Sequence, residues 1–440
     1  MDQPMEFEVT MADIAKSSAD AADALCRRCR AVPPAVTIRT EPLCAACFTT
    51  YLRTKFTRHM EPFRVKPGTE INRRRLLLAL SFGVASTALL DILHWHRSLQ
   101  LQRARRAEYD VLVVHIDESA VASSSTGAVD AQLEKLRGQY EQFEFRSIPL
   151  HHIYELPTAI GDTLPDEIAA ELEQNGDGES TNADANPLSR LRALLSRLNS
   201  RASQVDVIAI LRARLLAELA KINGCEAVML GDSMTRMAAM VLAEVTKGRG
   251  HSLPWLISDG PTPYGPSLVR PLRDLTTSEL NHYLSFTDIA HLSNATSSAP
   301  KPPVAAKNQT IDEIMIRFFD DVSNNHLTAN VVRTAAKLHF ADDEDRVQRL
   351  GLCEICGLPM DENPKLRVAR ARGHDVSSSN SSNGISNGDS NGNGSIYDAD
   401  ARIYCLEPSP GEEGMKQRRC YGCRRTTQGA GKVDWPVDNR

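Results

Sequence analysis

The sequence contains no uncharged hydrophobic run long enough to form a membrane-spanning helix. The run Leu76–Leu90 covers 15 residues, whereas a helix that crosses the hydrocarbon core needs about 20. Arg73-Arg74-Arg75 before this run would suit a signal anchor, but Asp91 interrupts the helix that such an anchor requires. The run also begins too far along the chain to be a cleaved signal peptide. We therefore expect no membrane segment.

The chain also lacks a large net charge of one sign: 51 Lys and Arg face 56 Asp and Glu, and the net charge is −5. This balance by itself gives no indication of nucleic-acid binding. The charge is unevenly distributed, however, because residues 26–106 carry 16 Lys and Arg against 4 acids, a net +12 that leaves −17 for the rest. A basic segment on an acidic body is typical of a protein that binds a phosphate backbone and meets a partner through another surface. A solvated basic face is the alternative interpretation.

Cysteine is scarce in the middle of the chain and concentrated in four C-x-x-C pairs, which hold eight of the ten cysteines and leave Cys225 and Cys405. No secretory signal precedes them, which favours metal ligation in a reducing compartment over disulfides. A redox motif would need only one pair, whereas two pairs complete a closed tetrahedral site that is typical of structural zinc. The predicted ligands are Cys26, Cys29, Cys44 and Cys47 at one site and Cys353, Cys356, Cys420 and Cys423 at a second, where Cys405 is a competing ligand. Cys225, beside a predicted buried strand, is most simply a core cysteine.

The stretch that follows the triple arginine reads as a buried strand, a turn of small residues and the start of a helix. The turn Ser81-Phe82-Gly83-Val84-Ala85-Ser86 is similar to the S-G-G-x-D-S loop of the PP-loop ATP pyrophosphatases. Ser81, Gly83 and Ser86 match that loop, whereas Phe82 replaces a glycine and Ala85 replaces the aspartate. Glycine allows close approach to a phosphate, and an acidic side chain would help to place Mg²⁺. We predict a loop that keeps the fold and has lost much of its chemistry; an ordinary strand–turn–helix is the alternative.

The remaining pattern predicts an α/β fold. Tyr109–Asp117 is a nearly continuous apolar strand, as expected when both faces are buried in a parallel sheet. Ala227–Leu230 is a further strand that delivers Gly231-Asp232 to the start of a helix. Short strands are expected at Pro254–Asp259 and Leu268–Leu272, and Asp274 or Thr277 is expected to cap the next helix. We predict a Rossmann-like PP-loop fold (adenine nucleotide alpha hydrolase-like), a parallel sheet with helices on both faces, with N-terminal and C-terminal zinc modules of four cysteines each.

The predicted domain boundaries follow composition. They are a mobile N-terminus at 1–24, a zinc module with a basic segment at 25–70, the α/β domain at 71–292 with a flexible insertion at 174–187, a linker at 293–309, and a helical segment with the second zinc module at 310–440, including a disordered insert at 375–396. Within residues 48–66, aromatic side chains alternate with cations. This composition suits an RNA surface, and it equally suits packing of the zinc module onto the next domain.

In order and spacing, these pieces resemble the cytoplasmic tRNA 2-thiolation protein 2 family over nearly the whole chain. Besides the cysteine pairs and the altered loop, the resemblance rests on residues 112–118 (LVVHIDE), 230–232 (LGD) and 270–274 (RPLRD). It implies a cytoplasmic subunit that forms a heterodimer with a PP-loop protein whose loop is intact. The pair would place sulfur on C2 of the wobble uridine (U34) of tRNAs for Lys, Glu and Gln. The sulfur would come from a thiocarboxylated ubiquitin-related modifier protein, and the partner would adenylate the uridine.

Catalytic relatives carry sheet-edge cysteines for an iron–sulfur cluster or a persulfide, and this chain has only Cys225 between Ser86 and Pro271. We therefore predict no catalytic residue here, structural Zn²⁺ at one or two sites, and doubtful ATP binding. A residual nucleotide site would use Ser81, Gly83, Ser86 and Asp232. The predicted tRNA contacts are Arg27, Arg28, Arg30, Arg53, Lys55, Arg58, Arg64, Arg73, Arg74 and Arg75. Two alternatives remain: a self-sufficient ATP-dependent tRNA-modifying enzyme, and a zinc-ribbon adaptor without an RNA role.

Overall fold

The computed structural model describes residues 25–38, 40–65, 73–121, 127–156, 186–263, 265–289, 309–321, 325–338, 351–360, 419–430 and 435–436. Its strands are β1 (Val36–Ile38), β2 (Glu41–Leu43), β3 (Arg74–Ala79), β4 (Tyr109–Asp117), β5 (Glu144–Pro149), β6 (Ala227–Leu230), β7 (Gly260–Thr262) and β8 (Gly265–Val269). Its α-helices are α1 (Ala45–His59), α2 (Val84–Ala104), α3 (Gly127–Gln139), α4 (Pro187–Ser196), α5 (Arg201–Ile222), α6 (Met234–Thr246), α7 (Leu253–Ile257), α8 (Thr277–Ser285), α9 (Ile311–Asp321), α10 (Asn325–Ala336) and α11 (Tyr421–Thr426).

Six strands form one sheet in the order β5-β4-β3-β6-β8-β7. Five of them are parallel, and β7 pairs antiparallel with β8 at the edge. The chain winds outward from β3 in one direction and from β6 in the other. The connections that leave the carboxyl ends of β3 and β6 mark the position at which open α/β sheets generally bind ligands.

The central strand β3 buries both of its faces, and its alternation separates two cores. Leu76 and Leu78 lie in the core that α1, α2, α3 and α8 cover, together with Cys26 and Cys44. Leu77 lies in the opposite core, under α4 and α5, together with Cys353, Cys356, Cys420 and Cys423. Each cysteine module therefore belongs to a different face of the sheet. We call these the N face and the C face.

The predicted fold class is confirmed, and most predicted elements lie where the pattern places them. Tyr109–Asp117 and Ala227–Leu230 are strands with the predicted bounds. The strand predicted at Pro254–Asp259 is wrong: Leu253–Ile257 is a helix, with its proline in the first turn, where the missing N–H costs nothing.

Two local predictions near the end of the sheet also need correction. Strand β8 ends at Val269 and the chain then turns, so the predicted strand over Leu268–Leu272 is too long. Neither Asp274 nor Thr277 caps α8. The cap is Thr276, whose hydroxyl accepts from the Glu279 amide while the Glu279 carboxylate accepts from the Thr276 amide.

Several predicted segments lie outside the described residues: the N-terminus at 1–24, most of the insertion at 174–187, nearly all of the linker, and the insert at 375–396 with Cys405. The domain boundaries therefore stay predictions. Within the described ranges, no helix combines the length and the apolar character needed to cross a membrane.

Candidate metal centres and sheet-edge loop

The first four predicted ligands come together in one cluster. The sulfur atoms of Cys26, Cys29, Cys44 and Cys47 all lie within 4.8 Å of one another, and the Cys29 and Cys44 sulfurs are 3.7 Å apart. Four sulfurs at about 2.3 Å from a zinc ion would be separated by about 3.8 Å. Cys29 is exposed, so this cluster reaches the protein surface. The donor set and spacing fit tetrahedral Zn²⁺ with no open position.

The second cluster has the same composition and a different environment. The sulfurs of Cys353, Cys356, Cys420 and Cys423 lie within 4.8 Å of one another, with 4.0 Å between those of Cys356 and Cys420. All four cysteines are buried in the C face. The structure thus joins two pairs that 63 residues separate in sequence, as the spacing predicts.

The two clusters are built on the same backbone plan. In each, one pair forms a knuckle closed by an amide-to-carbonyl bond, Arg30 to Cys26 at 2.8 Å and Gly357 to Cys353 at 2.9 Å. The residue that closes the knuckle is left-handed in both, with φ 54° at Arg30 and 68° at Gly357.

In each cluster the other pair begins a helix. Cys44 precedes α1 and Cys420 precedes α11 as the N-cap residue, with ψ 162° in both. Helix N-terminal amides favour the anionic form of a nearby sulfur.

The environment of the sulfurs lowers the pKa of some of the thiols. Backbone amides, first that of Cys29, lower the pKa of the Cys26 thiol to about 6. In the buried cluster, hydrogen bonding from Cys356 lowers the pKa of Cys353, and hydrogen bonding from Cys353 lowers the pKa of Cys420. Hydrogen bonds with neighbouring cysteines raise the pKa of the partner thiols Cys47, Cys356 and Cys423. Thiolate is the form that binds metal, so metal binding would release protons from these partners.

The polar groups of the sheet-edge loop bond to one another. The hydroxyls of Ser81 and Ser86 are 3.1 Å apart, the Ser86 hydroxyl donates to the Gly83 carbonyl at 3.1 Å, and the Gly83 amide approaches the Ser81 oxygen at 3.4 Å. Gly231, at the end of β6, presses on the start of α2, because a Cβ there would lie 2.6 Å from the Ser86 Cα. The structure therefore brings these predicted residues together at the carboxyl edge of the sheet.

Phe82 keeps the backbone conformation that a glycine would adopt and fills the space beneath it. Its φ is 56°, in the left-handed region that costs about 1 kcal/mol for a residue with a side chain. Its ring is fully buried in the N face and meets the His115 ring edge-on at 5.1 Å. The loop is thus anchored to the core by an aromatic side chain.

Asp232 also lies at this edge, and its charge is already balanced. Its carboxylate accepts from Nε of the buried Arg270 at 3.2 Å and lies 3.6 Å from Nε of Arg236. Arg270 in turn donates to backbone carbonyls of residues 256 and 258. A carboxylate held in this way has less capacity to ligate Mg²⁺.

The predicted cations fall into two groups. Arg27, Arg30, Arg58 and Arg73 are exposed, and Arg28 and Arg64 are exposed partners of acidic residues. The others pack against the protein. Arg53 lies over the Trp95 ring at 4.4 Å, and Lys55 donates to the Asp274 carbonyl. Arg74 and Arg75 lie at the amino edge of the sheet, where they form ion pairs with Glu226 and Glu144 respectively. Arg74 and Arg75 therefore lie at the end of β3 opposite the loop.

Sequence reasoning missed a buried group of charges beside the second cluster. Asp206, Glu244, Lys247 and Arg249 form ion pairs with one another in the interior. Asp206 and Arg249 are 43 residues apart, and neither belongs to a motif, so only the folded chain shows that they meet.

Comparison with known proteins finds relatives that match most of the chain. A family model described as Cytoplasmic tRNA 2-thiolation protein 2 matches residues 310–425. The protein of that name from Pyrenophora tritici-repentis is 35% identical over 353 residues, 78% of this chain and 87% of the relative. The chain belongs to the cytoplasmic tRNA 2-thiolation protein 2 family. Another family member, from Sclerotinia sclerotiorum, is 36% identical over 70% of this chain and 81% of its own length.

The family resemblance predicted from the sequence is therefore confirmed, and the predicted location agrees with the word cytoplasmic in the relatives' names. Among solved structures, the U34-tRNA thiolase NcsA from Methanococcus maripaludis, with its 4Fe-4S cluster, is similar over 81% of this chain and 98% of that chain, with 15% identity and a TM-score of 0.43.

Proposed function

We propose that this chain is the non-catalytic, tRNA-binding subunit of a heterodimer that performs tRNA 2-thiolation. The heterodimer would place sulfur on C2 of U34 in tRNAs for Lys, Glu and Gln, taking it from a thiocarboxylated ubiquitin-related modifier protein. Membership of the cytoplasmic tRNA 2-thiolation protein 2 family supports a role in this modification. The finer assignment rests on the loop and on the exposed cysteine module.

The loop supports a division of labour with a catalytic partner. Ala85 provides no carboxylate, and the Asp232 carboxylate is paired with Arg270. The buried ring of Phe82 anchors the turn in the hydrophobic core. The serine hydroxyls are engaged with each other and with the loop backbone. Adenylation of the uridine would therefore fall to a partner with an intact loop.

The observation that carries the tRNA assignment is Arg30. An arginine closes the exposed knuckle in the left-handed conformation that the equivalent Gly357 adopts in the buried one. The residue thus accepts a backbone cost of about 1 kcal/mol to put a cation beside Cys29, and such strain points to a functional role. Arg27 and Arg28 lie in the same knuckle, and the Arg28 guanidinium lies 5.3 Å from the centre of the Tyr51 ring. Cations beside an aromatic ring suit RNA.

Both clusters fit Zn²⁺ as a structural ion held by four thiolates. The residues that would hold it are the two sets of four cysteines, and the ion would supply rigidity and no open site for chemistry. In the first module it would fix the knuckle that presents the three arginines.

The direct test is charge reversal in the exposed knuckle. In the assembled heterodimer, Arg27→Glu, Arg28→Glu and Arg30→Glu together should weaken tRNA binding at least about tenfold and reduce its dependence on salt, because several phosphate contacts are lost. The matched control reverses three exposed arginines elsewhere, Arg103, Arg137 and Arg333. Zinc content should stay unchanged in both. Unchanged binding by the knuckle variant would refute this tRNA surface.

Activity assays separate the proposal from its rivals. Wobble thiolation should require both subunits and should survive Ser81→Ala with Ser86→Ala in this chain, since the loop takes no part in adenylation. ATP–pyrophosphate exchange by this chain alone would instead identify a self-sufficient enzyme. Failure of the heterodimer to retain tRNA at moderate salt would identify an adaptor.

A further inference from the structure

The segment Lys247–His251 lies directly against the Cys420–Cys423 half of the buried cluster, and we call it the cradle. Gly248, with φ 83°, faces the Tyr421 ring so closely that a Cβ there would lie 2.5 Å from a ring carbon. From the other side, a Cβ on Gly422 would lie 2.3 Å from Cγ of Arg249. Two glycines thus allow the cradle and the cysteine pair to approach each other, and neither position has room for a side chain.

A buried carboxylate connects the cradle to the cysteine helix. Arg249, almost fully buried, donates through both terminal nitrogens to Asp206 and through Nε to Glu244 at 2.6 Å. The Thr426 hydroxyl, on α11, donates to the same Asp206 carboxylate at 2.7 Å. Burial alone would raise the pKa of Asp206, but Arg249 and Lys247 outweigh it and the pKa is lowered. Asp206 therefore holds α5, the cradle and α11 together as a charged group.

His251 is the last residue of the cradle. Its side chain is buried, and its Nε2 has no hydrogen-bond partner among the described residues. Hydrogen bonding from Cys353 lowers the pKa of the Cys420 thiol most, and an interaction with His251 lowers it further.

Lys247 connects the Asp206 carboxylate to α9. Lys247 Nζ lies 3.1 Å from Asp206 Oδ1 and 2.7 Å from Asp312 Oδ2, in the first turn of α9. The adjacent Glu313 pairs with Arg201 at 2.9 Å. Ion pairs of this kind depend on the fixed position of each member, because an uncompensated buried charge is costly.

We propose that Asp206 and Arg249 are positioning residues for the C-terminal metal site, and that metal binding there fixes the position of α9. A Zn²⁺ ion that holds Cys420 and Cys423 would fix Gly422 and Thr426. These residues hold Arg249 and Asp206 in place, and Asp206 aligns Lys247 with Asp312. The inference does not depend on tRNA binding or on the thiolation partner.

The test uses the full-length protein loaded with Zn²⁺. Thr426→Val removes one hydrogen bond to Asp206 with little change of shape, and Asp206→Asn removes the charge. Thr427→Val is the matched control, since the Thr427 hydroxyl bonds within its own module, to the Cys423 carbonyl. Zinc loss to a chelator is followed by absorbance, and hydrogen exchange is followed by mass spectrometry over residues 26–47, 311–321 and 419–430.

We expect Asp206→Asn to release one of two zinc ions about tenfold faster, the low end of the effect of direct outer partners of metal ligands, because Asp206 acts on the cluster through Thr426 and Arg249. Thr426→Val should act in the same direction and more weakly, and Thr427→Val should behave as wild type. Exchange should rise at 419–430 and at 311–321, with 26–47 unchanged. Wild-type zinc retention and α9 protection in the Thr426→Val and Asp206→Asn proteins would overturn the proposal. An equal rise at 26–47 would overturn it too, since it would show general destabilisation.

Discussion

The two cysteine modules share a backbone plan and differ in nearly everything around it. Both have a knuckle closed by a left-handed residue and a cysteine pair that starts a helix. The first exposes Cys29 and places arginines beside it, whereas the second buries all four cysteines in the C face. The comparison teaches that one arrangement of four cysteines suits two environments and that burial decides what the module does. One module presents a surface, and the other completes a core.

The modules also attach to the sheet by different forces. The first docks through rings and partly exposed polar contacts: Phe56 packs edge-on against His96 at 5.5 Å, the Tyr51 hydroxyl donates to Glu279 at 3.0 Å, and His59 lies 2.9 Å from the Asp274 carboxylate. The second docks through the buried charges around Asp206. Loss of metal should therefore affect the two faces unequally.

The largest expected effect is the difference between Cys356→Ser and Cys29→Ser. Cys356→Ser removes a ligand from the core of the C face and should lower the free energy of unfolding by more than about 4 kcal/mol, the range reached by loss of a metal site. Cys29→Ser should lose one zinc ion and leave the sheet folded. Denaturant unfolding and zinc analysis of both variants provide the measurement. Equal losses of stability would break the comparison.

The next effect concerns the ring that fills the N face. Phe82→Gly should lower the free energy of unfolding by about 3 kcal/mol, since loss of a buried ring costs about 3–5 kcal/mol and relief of the left-handed backbone returns about 1. Phe286→Ala, at a partly exposed ring, is the control. Urea unfolding measures both. A stabilised Phe82→Gly protein would show that backbone strain outweighs the packing of the ring.

The N face should also respond to acid through His96. Burial lowers the pKa of His96 to about 4 from an ordinary 6.5, so the unfolded chain binds the proton first as pH falls. This residue should therefore remove up to about 3 kcal/mol of stability between pH 6.5 and pH 4. His96→Gln, which can still bond the Tyr109 hydroxyl, should flatten that part of the pH dependence. Parallel curves for the variant and the wild type would contradict this account.

The smallest effect comes from exchanging the residues that close the two knuckles. Arg30→Gly should raise the free energy of unfolding by about 1 kcal/mol, and Gly357→Arg should lower it by about that amount or more, since only glycine is unstrained at positive φ. Thermal unfolding of each variant gives the values. Opposite signs would show that backbone strain at positive φ does not set the stability cost of the residue that closes each knuckle.

The sequence predicts the sheet and the ligands well because both leave local signals. The apolar run Tyr109–Asp117 and the cysteine spacing can each be recognised from residues that are close together in the sequence. Thr276 was missed as a cap because Asp274 and Thr277 are equally good capping residues, and only the backbone decides among them. The helix at Leu253–Ile257 was missed because a short apolar run with proline suits either element.

Prediction of the sites fails where distant residues must meet. The Asp206–Arg249 pair leaves no periodic trace, and the burial of Phe82 depends on the position of His115, 33 residues further along. Conversely, the sequence does not show that four of the predicted cations have partners. In the folded chain, aromatic rings contact Arg53 and Lys55, and carboxylates pair with Arg74 and Arg75. Composition cannot distinguish a cation that packs from one that faces solvent.

The distance along the chain between Leu77 and Cys423, which share one core, has a consequence for biosynthesis. The ribosome delivers the four ligands of the first module before it begins the sheet, so that module can close early. The C face of the sheet cannot be completed until residue 423 has emerged, 346 positions after Leu77. Until then its leucines lack their final cover. Closing so long a loop is slow. Newly made chains should therefore spend their period of greatest exposure to chaperones and proteases with one side finished and the other open.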